Sequence, residues 1–311
     1  MELLMAPLQG FTEANVRNAF EESFGGIAEY YTPFIRLEKG QFRNKDLKDA
    51  DPANNRVGHL IPQIIAADED EAVRLVEKVA EWGYREVDIN MGCPFLPMVR
   101  KGRGAGILPH PDKVAQVLSV TDRYPEIQFS VKMRLGWDSA EESLVLLDLL
   151  NELPLRQITL HPRLGIQQYK GTCMSEAFSR FYELCRKPLV YNGDISSLSA
   201  LQELETKFPR IKGVMIGRGL LTTPWLAAEY QEQKPWTSDR KRTAFRNFHQ
   251  KLLSAYTEKI EGGEQQLLGK MVSFWEYLLA NEDRKCLKKI RKAKNLSTYC
   301  QAVNELIAGL H

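Results

Sequence analysis

Glu86-Val87-Asp88-Ile89-Asn90-Met91-Gly92-Cys93-Pro94 reads as a short strand, Glu86 to Asn90, that breaks into a glycine-proline loop carrying a cysteine. Seven more short apolar or β-branched runs lie on either side of it: Leu3 to Ala6, Ile27 to Tyr31, His59 to Ile65, Gln128 to Met133, Gln157 to Leu160, Pro188 to Tyr191 and Gly213 to Ile216. Segments with apolar residues at helical spacing separate them, among them Glu69 to Trp82, Pro111 to Thr121, Ala140 to Leu150 and Ser197 to Lys207. Strand alternating with helix builds parallel βαβ units, and eight repeats predict an α/β fold closed into a (β/α)8 TIM barrel. The rival, a doubly wound open sheet, usually carries Gly-x-Gly-x-x-Gly after its first strand, and that pattern is absent here.

A barrel of about 250 residues plus a small appendage accounts for the chain's 311 residues. With 43% hydrophobic, 26% charged and 9% aromatic residues, the composition is that of a globular protein rather than a disordered one. No apolar run approaches the roughly 18 residues of a membrane span, and the N-terminus lacks a secretory pattern, so a cytoplasmic protein is expected. Cys93, Cys173, Cys185, Cys286 and Cys300 are scattered and never form Cys-x-x-Cys, which fits a reducing compartment; the five histidines are equally dispersed, so no metal site is expected. Near Lys234-Pro235-Trp236-Thr237-Ser238 the strand signals stop. A boundary there gives a catalytic barrel over 1–235 and a helical domain over 236–311, with three or four helices including Phe245 to Ile260 and Glu264 to Ala280. From Glu229 onward 15 Lys and Arg face 10 Asp and Glu, so a near-neutral total hides a basic tail. Its densest part places seven cations, from Arg284 to Lys294, with no acid between them. Most such runs are solvated helix faces, yet this density also suits a phosphodiester backbone, with Trp275 and Tyr299 as stacking surfaces.

The loops that follow barrel strands form the active site of this fold, and here they carry unusual residues. Asn90 to Pro94 follows the fourth strand, Lys132-Met133-Arg134 the fifth and His161-Pro162-Arg163 the sixth, while Gln63 ends the third. Asn192-Gly193-Asp194 and Gly217-Arg218-Gly219 follow the last two, where barrels commonly bind phosphate; glycine amides and a forked guanidinium there point to a phosphorylated ligand. Lys132 is read either as a cation beside an electron-rich ligand or as a Schiff-base lysine. His161 is equally a core histidine or a ligand contact. Cys93, mostly protonated at an ordinary thiol pKa near 8.5, suits a proton donor. The basic, glycine-rich segment Met98 to Gly106 reads as a loop that closes over a polyanion, or simply as a surface loop.

These same stretches, with Met5-Ala6-Pro7-Leu8-Gln9-Gly10, Val131 to Asp138 and Met215 to Gly219, resemble the tRNA-dihydrouridine synthases. Asn90-Met91-Gly92-Cys93-Pro94 is the most specific element, and Arg134-Leu135-Gly136-Trp137-Asp138 with the compact tail looks most like the C type, which acts on an early D-loop uridine, position 16. The resemblance implies FMN as cofactor, NADPH as electron donor and the tRNA D-arm as partner, in an enzyme expected to be a monomer. It implies that Pro7, Leu8 and Gln9 line the flavin, that Gln63, Lys132 and His161 contact its rings, and that Asn192, Gly193, Asp194, Gly217 and Arg218 hold its phosphate. Cys93 would protonate uracil C5 after hydride reaches C6. Substrate contacts would come from Asn90, Arg134, Arg36, Lys101, Lys270, Lys288, Lys289 and Arg291.

The chain departs from the family pattern at Leu8, Pro33, Arg103, Pro162 and Gln168; these departures bear on the target uridine, because they sit in loops expected to touch RNA. Two other readings remain: an FMN barrel reductase of small molecules, and an RNA-binding relative without catalysis.

Overall fold

The computed structural model describes residues 1–311. Its strands are β1 (Glu2–Met5), β2 (Glu29–Tyr31), β3 (Leu37–Glu38), β4 (Gln41–Phe42), β5 (Leu60–Ile61), β6 (Gln63–Ile64), β7 (Glu86–Met91), β8 (Gln128–Gly136), β9 (Leu155–Leu164), β10 (Leu189–Tyr191) and β11 (Gly213–Ile216). Nine of them form one parallel sheet in the order β5-β2-β1-β11-β10-β9-β8-β7-β6. The two edges, β5 and β6, are consecutive in the chain and separated only by Pro62, so the sheet curls into a nearly closed barrel of eight staves. Pro62 interrupts the third stave because it has no N–H to give to a ladder, although its carbonyl still accepts from Asp88 N at 3.0 Å. All eight expected strands are present.

Two staves are longer than the sequence suggests. β8 and β9 stay paired through Arg134↔His161 and Gly136↔Leu164, with a register irregularity between, and so project past the rim of the barrel. Arg134, His161 and Arg163 therefore sit in strands, not in the loops expected from the sequence, while Lys132 lies within its expected strand. The β3–β4 hairpin is a further addition, turning at Lys39-Gly40, whose φ values of 50° and 73° make a two-residue turn that glycine favours.

Inside the barrel the residues divide by chemistry. Leu4, Ala6, Tyr31, Ile61, Val190 and Met215 form a small apolar cluster, while Gln63, Asp88, Ser130, Gln157 and Thr159 fill the rest with buried polar groups. The main apolar core lies outside, between the strands, the surrounding helices and the tail.

The tail begins where Gln233, at φ 51°, ends the helix Leu226–Glu232 in a left-handed turn and Thr237 caps the next. Its four main helices span Ser238–Lys259, Gly263–Ser273, Arg284–Arg291 and Leu296–Ala308. The first lies on the barrel helix Ala14–Ser23, with Phe248 against Phe24 at 5.3 Å and edge-on to Phe20 at 6.4 Å. The tail centres on the hydroxyl of Tyr299, which accepts from Trp275 Nε1 at 3.0 Å and pairs with His249 Nε2 at 2.9 Å. Burial pushes His249 down to about 4, so the imidazole is neutral and its Nε2 can accept a hydrogen bond from the Tyr299 hydroxyl. Trp275 and Tyr299 are thus fully enclosed, not the stacking surfaces expected from the sequence: their polar atoms satisfy one another inside the tail.

Replacing Tyr299 by Phe leaves Trp275 Nε1 and His249 unpaired in a dry core. Loss of roughly 1–3 kcal/mol in urea unfolding is expected; an unchanged midpoint would show that the hydroxyl holds nothing together.

Candidate active site

A cavity of about 500 Å³ opens at the carboxyl ends of the strands. It is lined by Pro7, Leu8 and Gln9 after β1, Asn90, Gly92 and Cys93 at the end of β7, Lys132 and Arg134 on β8, His161 on β9, Asn192, Gly193 and Asp194 after β10, and Gly217 and Arg218 after β11. The fold thus brings together every residue of the expected flavin set except Gln63, which lies just beneath the floor.

A chain of buried amides fixes the cysteine loop. Asp88, fully buried, accepts from Ser130 Oγ at 2.6 Å and from Gln63 Nε2 at 2.7 Å. Because Gln63 spends its amino group on that carboxylate, its carbonyl faces Asn90 and accepts from Asn90 Nδ2 at 2.7 Å. Asn90 is left presenting its own carbonyl oxygen, which accepts from the backbone N–H of Gly92 at 3.1 Å and of Cys93 at 2.9 Å. Gly104 closes on the same loop from behind: at φ 60° it is left-handed, and a Cβ there would stand 2.6 Å from the Cys93 carbonyl oxygen. Burial raises the Cys93 thiol above its ordinary pKa, against the pull of a Phe95 backbone contact and of Arg134 and Lys132. The group is therefore a thiol at neutral pH, held to a fixed loop and able to give up a proton.

Cations surround it. Lys132 Nζ donates to Asn192 Oδ1 at 2.6 Å, and Asn192 Nδ2 in turn donates to Met215 O at 2.7 Å. Burial, followed by the repulsion of Arg134, brings Lys132 down to about 8. Arg134 donates to the carbonyls of Gly92 and Leu164 at 3.0 and 2.8 Å, which ties the cysteine loop to β9. Burial and the neighbouring Lys132, Arg134 and Arg163 hold His161 neutral. Its Nε2 lies 3.2 Å from the Arg163 guanidinium, which can only donate, so the ring proton is on Nδ1. Asp194 joins both Arg163 and Arg218, the latter at 2.9 Å. The cavity wall therefore carries three cations, Lys132, Arg134 and Arg218, against one acid, Asp194. A Cβ on Gly193 would run into the Tyr191 hydroxyl and ring at 2.5–2.7 Å, so only glycine fits at this point of the cavity wall. A buried, net positive pocket with open backbone amides fits an anionic group such as a ribityl phosphate.

Three features of the site do not stand out in the sequence. Arg163 is 1% exposed and orients Asp194, whereas its local pattern marks it only as the third residue of a strand-end triplet. Tyr277, from the tail, lines the cavity with its ring 4.7 Å from Phe11. Tyr169 lies over both Arg134 and Arg218, at 5.4 and 4.9 Å.

The expected RNA contacts are spread wider. Arg36 is half-buried against Met98 Sδ at 3.6 Å, and Lys101 is exposed on the rim loop. Lys270 bonds Glu13 and the Gly10 carbonyl at 3.0 and 3.1 Å, pinning the loop after β1 to the tail. Lys288, Lys289 and Arg291 are exposed, but Lys289 pairs with Glu305 and Arg291 donates to Trp275 O. The segment Met98 to Gly106 is not a free lid: Arg103 is 5% exposed, paired with Glu71 and bonded to Leu37 O at 3.0 Å. Among the departures, Gln168 sits at φ 51°, a conformation suited to glycine, and lines the cavity.

A nearly closed parallel barrel with a cation-lined cavity and a half-buried thiol at the carboxyl ends of its strands has the layout of a barrel enzyme. The chain belongs to the dihydrouridine synthase (Dus) family, whose model matches residues 4–306. It is 26% identical over 231 residues to tRNA-dihydrouridine synthase B of Pasteurella multocida, covering 72% of this chain and 67% of that one. It is 28% identical over 280 residues to tRNA-dihydrouridine(16) synthase of Pseudomonas syringae pv. tomato, covering 83% and 85%. A probable tRNA-dihydrouridine synthase 1 of Synechocystis is 28% identical over 236 residues, and the chain spans 64% of its length. The fold is shared with the old yellow enzyme of Trypanosoma cruzi, at TM-score 0.54 and 10% identity over 76% of this chain and 89% of that one. It is also shared with the old yellow enzyme homologue of Zymomonas mobilis, at 0.52 and 12%, over 76% and 90%.

Lys132 costs stability while it is charged and buried. The sign follows from its folded pKa of about 8 lying below the ordinary 10.5: the unfolded chain binds the extra proton, so folding is penalised below pH 8 and relieved as pH rises toward 10.5. Without added ligand, Lys132→Met is expected to be more stable than the parent by on the order of 2 kcal/mol at neutral pH, with the gap narrowing above pH 8. Denaturant titrations at several pH values would show it; a gap independent of pH would contradict a buried charge at this position.

Proposed function

We propose that the chain is an FMN-dependent tRNA-dihydrouridine synthase that uses NADPH to reduce the C5–C6 double bond of a D-loop uridine, with residues 1–235 as catalytic barrel and 236–311 as RNA-binding domain. The observation that carries this reading is the Cys93 thiol, raised in pKa and fixed by the Asn90 carbonyl, in the same cavity as a phosphate-suited cradle of Gly193, Gly217 and Arg218.

FMN, when bound, supplies the hydride chemistry. The remaining work falls to side chains. Gly193, Gly217 and Arg218 would hold the phosphate end; Asp194, now bonded to Arg218, would retain Arg163 as a partner if Arg218 turned to the phosphate. Lys132 and the neutral His161, both on the cavity wall, would contact the flavin ring system, and Lys132 would supply a cation there. Pro7, Leu8 and Gln9 form the wall after β1, and Gln63 fixes the floor. The uridine must leave its stack to reach Cys93, and Arg134 and Asn90 border the place where it would lie. Cys93 delivers its proton to uracil C5 and the thiolate left behind is stabilised by Arg134 and Lys132, the cations that already oppose the upward shift of its pKa. The match to a tRNA-dihydrouridine(16) synthase over 280 residues favours position 16 as the target. A cytoplasmic monomer fits this activity.

The basic tail would contact the phosphodiester backbone. Lys285, Lys288 and Lys292 are exposed, three or four residues apart, and free of the bonds that hold Lys289 and Arg291.

Cys93→Ala removes the acid and leaves the cradle. The variant is expected to retain a yellow flavin spectrum and to lose turnover by at least about 100-fold, within the usual range for a general acid. A fully active variant would remove Cys93 from the chemistry. Lys285, Lys288 and Lys292 changed together to Glu should weaken tRNA binding and lower the slope of log K against log salt by roughly 1 for each phosphate that the variant no longer neutralises. An unchanged slope would return these residues to a solvated face.

A further inference from the structure

Next to the thiol the protein displays an apolar tip that its own packing does not use. Phe95 is 57% exposed and Leu96 43%, two and three residues after Cys93, and Phe95 lines the same cavity. Large apolar side chains left in water at the mouth of a site mark a surface that another molecule covers. This tip is also rigid. The Phe95 carbonyl accepts from Met98 N at 2.8 Å and Val99 N at 3.1 Å, and Ala105 N donates to the Cys93 carbonyl at 3.0 Å. Met98 is buried below with Phe34 and Ile65, and Arg103 is locked to Glu71 and Leu37 O. A fixed base thus holds two bare hydrophobes outward, while Arg100 and Lys101, both exposed, stand on the same loop.

We infer that Phe95, supported by Leu96, is a wedge that enters the base stack of the RNA loop and occupies the gap left by the extruded uridine. The inference rests on the reading of the site as one that reduces a uridine in tRNA. A base drawn out of its stack leaves its neighbours exposed, at a cost that an inserted apolar side chain offsets. An aromatic face suits this because every base offers a π-surface to it. Phosphates flanking the gap carry negative charge, and Arg100 and Lys101 meet it from the loop that bears the wedge. The spacing is short enough that one rigid loop presents both the acid to the extruded base and the filler to its neighbours. Phe95 is on this account a positioning residue: it does not touch the reacting atoms.

The test compares wild type, Phe95→Ala and Phe95→Tyr, purified with bound flavin, on the tRNA that the wild type modifies. With exposed side chains replaced, folding and flavin content should be unchanged, as should the rate at which NADPH bleaches the flavin. The expected result is a fall in kcat/KM on tRNA of about tenfold or more for Phe95→Ala, in the range set by one base–aromatic stack, and near wild-type rates for Phe95→Tyr. The same tRNA carrying 2-aminopurine beside the target uridine adds a readout of unstacking: its fluorescence should rise on binding wild type and rise less on binding saturating Phe95→Ala. Equal turnover and an equal fluorescence change in the alanine variant would overturn the wedge, and so would an equal loss in the tyrosine variant. A wild type with flavin but no reduction of any tRNA uridine would instead sink the proposed function on which the wedge depends.

Discussion

The position of the cysteine loop depends on one buried carboxylate. Asp88 can only accept while ionised, and that single fact sets the direction of every hydrogen bond above it: Gln63 must turn its amino group inward, Asn90 must turn its amino group to Gln63, and the Asn90 carbonyl is left to hold the amides of Gly92 and Cys93. A symmetric amide pair would be free to flip; one tied to a carboxylate is not. Burial raises Asp88 to about 6, so holding this charge costs stability that a plain apolar barrel interior would not lose. The return is a thiol whose backbone is fixed from below by Asn90 and from behind by Gly104. Enzymes commonly place such costs where geometry must be held.

The same exchange recurs in the upper layer. Arg134 and Arg163 are enclosed and Lys132 is half-buried, and together they keep His161 neutral, while the one acid on the cavity wall, Asp194, is shared by Arg163 and Arg218. An anion arriving between Gly193, Gly217 and Arg218 would relieve part of this excess. The tail enters the arrangement directly, since Tyr277 meets Phe11 at the cavity wall and Lys270 holds the Gly10 carbonyl. A barrel cut off before the tail would lose one wall of its own pocket.

Much of this is legible in the sequence for simple reasons. Eight apolar runs of strand length, separated by helical periodicity, can close in few ways, and glycines or charges just after strands fall at one end of the barrel by construction. Cys93, Lys132, His161, Asn192 and Arg218 can therefore be placed together without a structure. What escapes such a reading depends on contacts between distant segments. The extension of β8 and β9 beyond the rim comes from their mutual pairing, which no local pattern encodes. Arg103, read in the sequence as part of a basic loop, and Lys270, read as an RNA contact, also bond Glu71 and Glu13, which lie far from them in the chain. Trp275 and Tyr299, expected from the sequence as surfaces for bases, close on His249 instead. Gln168 stands out as unusual, but only its left-handed backbone shows why a glycine would sit there more easily.

The reaction proposed for this cavity is reduction of a tRNA uridine through a bound flavin. The most direct measurement incubates the purified, yellow protein with NADPH and unmodified tRNA and maps the product by mass spectrometry. The predicted result is one D-loop uridine heavier by two hydrogens, at position 16, and no change when NADPH is left out. Flavin reduced by NADPH with every tRNA uridine unaltered would contradict it.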